Sequence, residues 1–137
     1  MPDWTLDSVA LIDWYCGRRG IFPYLEEIIA QRSRGFFSTV SELELWQGIR
    51  PGEEEKHEAM LSLMERVPLD QAIARRAGLL RQQIGLQKLS LPDAAIAATS
   101  ELLGCPLLTR NTRDFERLKD IIPIEFYSNL EEPPRSP

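Results

Sequence analysis

Short apolar runs separated by longer amphipathic stretches are the feature that most limits how this chain can fold. Trp4–Leu6, Gly35–Phe37, Leu107–Thr109 and Ile121–Phe126 each read as a strand. Val67–Leu69 reads as a weaker one, because Pro68 cannot donate to a ladder and belongs at an edge or a strand start. Between them apolar residues recur at helical spacing: Leu25, Ile28 and Ile29 in a helix from Pro23 to Ala30; Met60, Leu61 and Met64 within Glu53–Glu65; Ile73, Ala77, Leu80 and Ile84 behind a capping Asp70. Val9–Tyr15, Val40–Gln47, the alanine-rich Leu91–Leu103 and the short Thr112–Leu118 read as helices too. Strands alternating with helices imply crossovers, and crossovers give a parallel sheet covered on both faces. The expected fold is α/β, a three-layer α/β/α sandwich around a mostly parallel sheet.

A chain of 137 residues fits one domain and can bury a core without disulfides. That domain is expected to span residues 1–129, with 130–137 a loosely packed tail, since Glu131–Pro137 combines charge with three prolines. Cys16 and Cys105 share no C-x-x-C spacing and sit in apolar surroundings, which predicts buried free thiols and a reducing cytoplasm. No apolar run approaches the ~20 residues of a membrane span, and no basic-then-apolar leader opens the chain. The net charge of −5 excludes a protein that coats nucleic acid by bulk electrostatics. Any nucleic-acid contact must come from a local site or from a partner that brings positive charge.

The placement of certain acids is more informative. Asp7 ends the first strand, Glu44 lies in the first turns after the second, Asp93 opens the alanine-rich helix, and Asp114 follows Leu107–Thr109. In open parallel sheets ligands bind beyond the carboxyl ends of the strands, so these acids meet if all four elements deliver to that edge. Each has a second reading as a cap. Ser41 with Glu44, and Ser90 with Asp93, fit capping boxes; Asn111 can cap the helix bearing Asp114, and Asp7 the helix after it. Against capping alone stands repulsion. Two carboxylates about 5 Å apart repel by ~3 kcal/mol at an effective dielectric of 20, more than one cap returns. A cluster needs a cation, and with one histidine and two distant cysteines the ligands are oxygens, which suit Mg²⁺ or Mn²⁺ rather than zinc.

Three segments together resemble the PIN-domain nucleases, and among them the small VapC-type toxins of toxin–antitoxin pairs. Leu6-Asp7-Ser8-Val9-Ala10-Leu11-Ile12-Asp13 is similar to the family's L-D-[ST]-S-V-L-I-D. Ser41-Glu42-Leu43-Glu44-Leu45-Trp46-Gln47-Gly48 matches [ST]-x-x-E-L-x-x-G. Asp93-Ala94-Ala95-Ile96-Ala97-Ala98, followed by Leu107-Leu108-Thr109-Arg110-Asn111-Thr112-Arg113-Asp114-Phe115, resembles D-A-x-I-A-A and L-x-T-x-[ND]-x-x-[DE]-F. The resemblance implies an endoribonuclease in which Asp7, Glu44 and Asp93 ligate Mg²⁺ or Mn²⁺. The fourth position falls either at Asn111, directly after Thr109-Arg110, or at Asp114 three residues later; Asp114 is the favoured one, with Asn111 and Thr109 in support. Where the family carries a small polar residue two places after its first acid, this chain has Val9, and Ser8 is the substitute. The implied reaction is phosphodiester hydrolysis leaving a 5′-phosphate and a 3′-hydroxyl, with Arg110 and Arg113 as candidates to bind phosphate. The implied partners are RNA, a cognate antitoxin and a second copy of the chain.

The same residues leave His57, in the charged stretch EEEKHEA, expected in solvent, and Asp13 expected at the surface or in a supporting role. Trp14, Tyr15, Phe22, Tyr24 and Trp46 exceed what a small core must hold, and some are candidates for a partner surface. A phosphoacceptor receiver domain or phosphatase of similar shape would need D-x-D-x-T, an Asp-Asp pair at the first strand or a lysine on the last strand, and none occurs. A non-catalytic binding module with the same fold is the remaining alternative.

Overall fold

In the computed structural model residues 1–129 are described; the expected tail, 130–137, lies outside the described residues. Five strands among them, β1 (Trp4–Leu6), β2 (Gly35–Ser38), β3 (Glu65–Val67), β4 (Leu107–Thr109) and β5 (Ile124–Phe126), form one sheet in the order β3-β2-β1-β4-β5. Every pairing is parallel. The crossovers are α1 (Ser8–Tyr15), α2 (Phe22–Ile29), α3 (Thr39–Gln47), α4 (Glu54–Leu61), α5 (Gln71–Ile84), α6 (Leu91–Leu103) and α7 (Thr112–Phe115). The expected α/β/α sandwich is what the chain adopts. None of these helices is long and apolar enough to cross a membrane.

Two cores explain the layering. Leu6, Leu11, Ile21, Leu25, Phe37, Leu108 and Tyr127 pack on one face. Ile73, Leu80, Leu89, Ile96, Ala97, Leu107, Phe115 and Leu118 pack on the other. Leu107 and Leu108 are neighbours in β4 yet belong to opposite cores, because successive side chains of a strand leave opposite faces. The alanines of α6 are buried and admit α5 closely, and Arg76 on α5 grips Glu101 on α6 with two nitrogens.

Several element boundaries move. The helix expected to reach Glu65 ends at Leu61, and β3 starts at Glu65 rather than Val67. Its pairing with β2 at the sheet edge leaves Glu65 and Arg66 exposed, so no apolar pattern marks the strand. Beyond it, Pro68 lacks the N–H that would extend the ladder. The segment after α7 tightens into a 3₁₀ turn at Glu116–Leu118, and β5 begins only after Pro123.

Two sequence expectations fail, and a third is narrowed. Cys16 is exposed and Cys105 half-buried, both free, because the helix face that carries Cys16 turns to the surface. His57 is 4% exposed, stacked on Tyr15 at 4.0 Å between ring centres and with Trp46 at 5.9 Å. It shares a helix face with Met60 and Leu61, at spacings of three and four, which outweighs its charged neighbours in the chain. Asp13, with an exposure of 1%, belongs to the interior.

The far end of the sheet closes tightly. After β5 the chain returns beside a 3₁₀ turn at Arg19–Ile21, where Gly20 N–H donates to Asn129 Oδ1 at 3.0 Å. A Cβ at Gly20 would lie 2.1 Å from that oxygen and 2.4 Å from the Ser128 carbonyl. Gly20→Ala must therefore push the 128–129 backbone away, and is expected to cost about 1–3 kcal/mol in urea unfolding. A midpoint equal to that of the parent chain would show the seam to be looser than these contacts require.

Candidate active site

β1 has β2 on one side and β4 on the other, so the sheet reverses its winding between β1 and β4. Loops that leave such a point in opposite directions open a crevice at the carboxyl ends of the strands. Asp7 stands at its floor. Its N–H donates to the Leu108 carbonyl at 3.1 Å, and it begins α1, but its carboxylate makes no capping bond. Instead Thr109 Oγ1, at the end of β4, donates to Asp7 Oδ2 at 2.8 Å. The capping alternative fails for this acid.

It fails for Glu44 as well. α3 is capped by Ser38, whose Oγ accepts from Val40 N–H at 3.0 Å, while the Ser41 hydroxyl is buried with no hydrogen-bond partner among the described residues. Helical spacing carries Glu44 round to α1, where Ser8 Oγ donates to its Oε1 at 2.6 Å. Asp93 and Asp114 do sit in caps. Ser90 Oγ accepts the Asp93 N–H at 3.2 Å, and Asn111 Oδ1 accepts the Asp114 N–H at 3.2 Å. Asn111 Nδ2 also donates to Asp114 Oδ2 at 2.6 Å, and its own N–H donates to Thr109 Oγ1 at 3.0 Å. One turn, 109–111, therefore holds both Asp7 and Asp114.

The electrostatics tie all four acids together. Burial pushes the Asp7 carboxyl up to about 7, with the charges of Asp93 and Glu44 adding and hydrogen bonds from Thr109 and Ser8 opposing. Burial likewise raises Asp93 to about 6, with Asp114 and Glu44 adding to it. Among the described residues no three His, Cys, Asp or Glu side chains are already gathered tightly enough to hold an ion. In kind the donors fit a hard divalent cation: four carboxylates, no sulfur or imidazole, and two of them made reluctant to ionise by burial and by their neighbours.

Arg110 does not face these acids. Its Nε and Nη2 donate to Asp13 at 2.8 and 3.0 Å, and Tyr127 Oη donates to the same carboxylate at 2.6 Å. Burial works against the Asp13 charge, but Arg110 and Tyr127 outweigh it and hold the carboxyl below its usual range. Arg113 is exposed on α7. The partners of Asp13 were hidden in the sequence, since Arg110, Tyr127 and Asn129 lie about a hundred residues away.

A family model described as the PIN domain matches residues 5–121. Among solved structures, a toxin–antitoxin complex from Klebsiella pneumoniae contains a chain 36% identical to this one, with a TM-score of 0.69 over 82% of this chain and 90% of the other. A DNA-bound VapBC from Salmonella typhimurium is 24% identical over 92% and 98%, with a TM-score of 0.70. VapBC2 from Rickettsia felis, bound to a promoter DNA fragment, is 19% identical over 93% and 100%, with a TM-score of 0.74. These last two are similar in fold. No curated protein matches the chain. The family match spans most of the sequence and covers Asp7, Glu44, Asp93 and Asp114, and the chain belongs to the PIN-domain family.

Proposed function

We propose that this protein is a Mg²⁺- or Mn²⁺-dependent endoribonuclease, the toxin of a toxin–antitoxin pair, which hydrolyses RNA phosphodiester bonds and so inhibits translation. The observation that supports the reading is that the charges of Asp93 and Glu44 reach the buried Asp7, and those of Asp114 and Glu44 reach Asp93, beside the winding reversal. Asp7, Glu44 and Asp93 are the residues to hold the ion, and Asp114 completes the acidic wall. When bound, such an ion polarises phosphoryl oxygens and makes water acidic enough to supply a nucleophile near neutral pH. The chain's own part is to orient and to exclude. Thr109 and Ser8 each donate to one oxygen of Asp7 and Glu44, and Asn111 fastens Asp114 to the turn that bears Thr109. Orientation by such hydrogen bonds tunes both ligand geometry and basicity.

The Klebsiella pneumoniae likeness supports an antitoxin partner. Association of two copies and residence in the cytoplasm belong to the same reading. Cleavage of a single-stranded RNA with and without Mn²⁺ tests the function, with Asp93→Asn as control. The expected result is metal-dependent cleavage lowered at least ~100-fold by the substitution, since it removes a ligand on which the reaction depends. Equal activity in both proteins would leave a non-catalytic module of the same fold.

Burial of Asp7, with the repulsion of its neighbours added, also has a sign in stability. An acid whose pKa rises on folding loses stability as pH climbs from its unfolded to its folded value, here from 3.8 to about 7 for Asp7. The gap corresponds to roughly 4 kcal/mol. Without metal, Asp7→Asn is expected to melt higher than the parent, by most above about pH 7, with the gain vanishing towards about pH 4. Added Mg²⁺ or Mn²⁺ should stabilise the parent and not the variant. Parallel melting curves across pH, with no response to metal, would remove the site.

A further inference from the structure

We infer that the cavity between α1 and α3, lined by Ile12, Tyr15, Cys16, Glu44, Leu45 and His57, seats a base of the substrate strand next to the cut. This rests on the nuclease reading and deepens it, because it assigns the part of the strand that is gripped beside the acids. The cavity has a volume of about 360 Å³. That lies at the small end of the ~300–1,000 Å³ of sites that hold small organic groups.

Glu44 joins the cavity to the acids. It belongs to the lining, its charge reaches both Asp7 and Asp93, and its Oε1 accepts from Ser8 Oγ at 2.6 Å. Ile12 and Tyr15 follow Ser8 on the same face of α1, four and seven residues on, so the cavity opens about 6 Å further along that helix. Glu44 is thus a wall shared by the acids and the cavity. A nucleotide whose phosphate lies at the first can lower its base into the second.

The lining selects the base over the rest of the strand. Glu44 and Glu53 stand there against one guanidinium, Arg50, so a phosphate is poorly received. Ile12 and Leu45 offer apolar side chains, and Tyr15 offers a ring to a flat, neutral group. The rings are in place before any ligand arrives. Tyr15 is half-buried and stacked on His57 at 4.0 Å with 15° between the planes, and Trp46 flanks His57 at 5.9 Å. The Tyr15 hydroxyl donates to Glu53 Oε2 at 2.8 Å, and Glu53 Oε1 accepts the Arg50 N–H at 2.8 Å. Little rotamer freedom is then left to lose on binding. His57 also carries a buried Nδ1 with no hydrogen-bond partner among the described residues, which is rare in a core that has no other task.

The test follows metal-dependent cleavage by the full chain of an RNA octamer whose cut position is mapped first. Octamers that lack one base at a time, with sugar and phosphate kept, are then compared. The expected result is a loss in kcat/KM of about ten-fold for one missing base adjacent to the cut, and little change elsewhere. Tyr15→Ala should abolish the sensitivity at that position. Tyr15→Phe, which keeps the ring and loses the bond to Glu53, should retain it. Cys16 gives a second readout that needs neither cleavage nor a change at Tyr15, because it is exposed, free and on the lining. In the chain carrying Asp93→Asn, alkylation of Cys16 by N-ethylmaleimide should slow with the intact octamer and not with the octamer lacking that base. A flat profile across the positions, or a sensitivity unchanged in Tyr15→Ala, overturns the proposal. So does protection of Cys16 that is indifferent to the missing base, or that a leucine-rich helical peptide gives and RNA does not, which hands the cavity to a protein partner. If the parent cuts no RNA, the nuclease reading itself falls; cleavage with a flat profile removes the base site alone.

Discussion

The hydrogen bond from Thr109 to Asp7 crosses the place where the sheet reverses its winding, and most of what distinguishes this domain follows from it. It joins the end of β4 to the residue after β1, two points 102 positions apart in the chain. The Thr109 hydroxyl also accepts from the Asn111 N–H, whose side chain then fastens Asp114. A single buried threonine thus transmits the register of the β1–β4 pair into the positions of two carboxylates. Backbone pairing of Leu6 with Leu108 sets that register, and Leu6 and Leu108 are both fully buried. A slip of one residue would turn their side chains to the wrong core, so core packing and site geometry are the same constraint.

The acids are arranged at a cost to the fold. Asp7 is buried where an ionised carboxylate is disfavoured, and its hydrogen bonds from Thr109 and Ser8 do not cancel that burial. Asp13 has the opposite fate six residues later on the same helix. It too is buried, yet Arg110 and Tyr127 hold it ionised. The difference is the partner. A carboxylate facing a guanidinium is satisfied within the protein, whereas one facing other carboxylates is satisfied only by something from outside. That contrast separates an acid answered within the protein from one that is not, and under the proposed function the second is where a cation would bind.

Much of the fold was legible in the sequence because parallel sheets announce themselves through alternation of short apolar runs with amphipathic ones. The periodicity also marks where three of the acids lie: Asp7 directly follows β1, Asp93 is in the first turn of α6 and Asp114 in α7, whereas Glu44 lies well inside α3. What escaped depends on contacts between distant segments. β3 lies at an edge and carries exposed Glu65 and Arg66, so nothing apolar reveals it. Glu44 looked like half of a capping box with Ser41, but Ser38 had already ended β2 and capped α3, which freed Glu44 to reach Ser8. His57 hid among glutamates and a lysine, although its spacing from Met60 and Leu61 was the signal that it lay inward.

The same distinction between local and distant information bears on how an acidic chain can hold a polyanion. Net charge of −5 is an average over the whole surface, and at physiological salt charges separated by more than about 8 Å are largely screened from one another. What an RNA phosphate would feel is the nearest shell of groups. Around the winding reversal that shell holds acids from four segments, while Asp13 on the neighbouring helix is answered by Arg110 and Tyr127. The 109–111 turn separates the two, with Thr109 bonded to Asp7, Asn111 to Asp114 and Arg110 to Asp13. Alternation of side chains along one turn is sufficient to set unanswered carboxylates apart from an answered one, and under the proposed function a cation held by the first would meet a phosphate without the chain as a whole being basic.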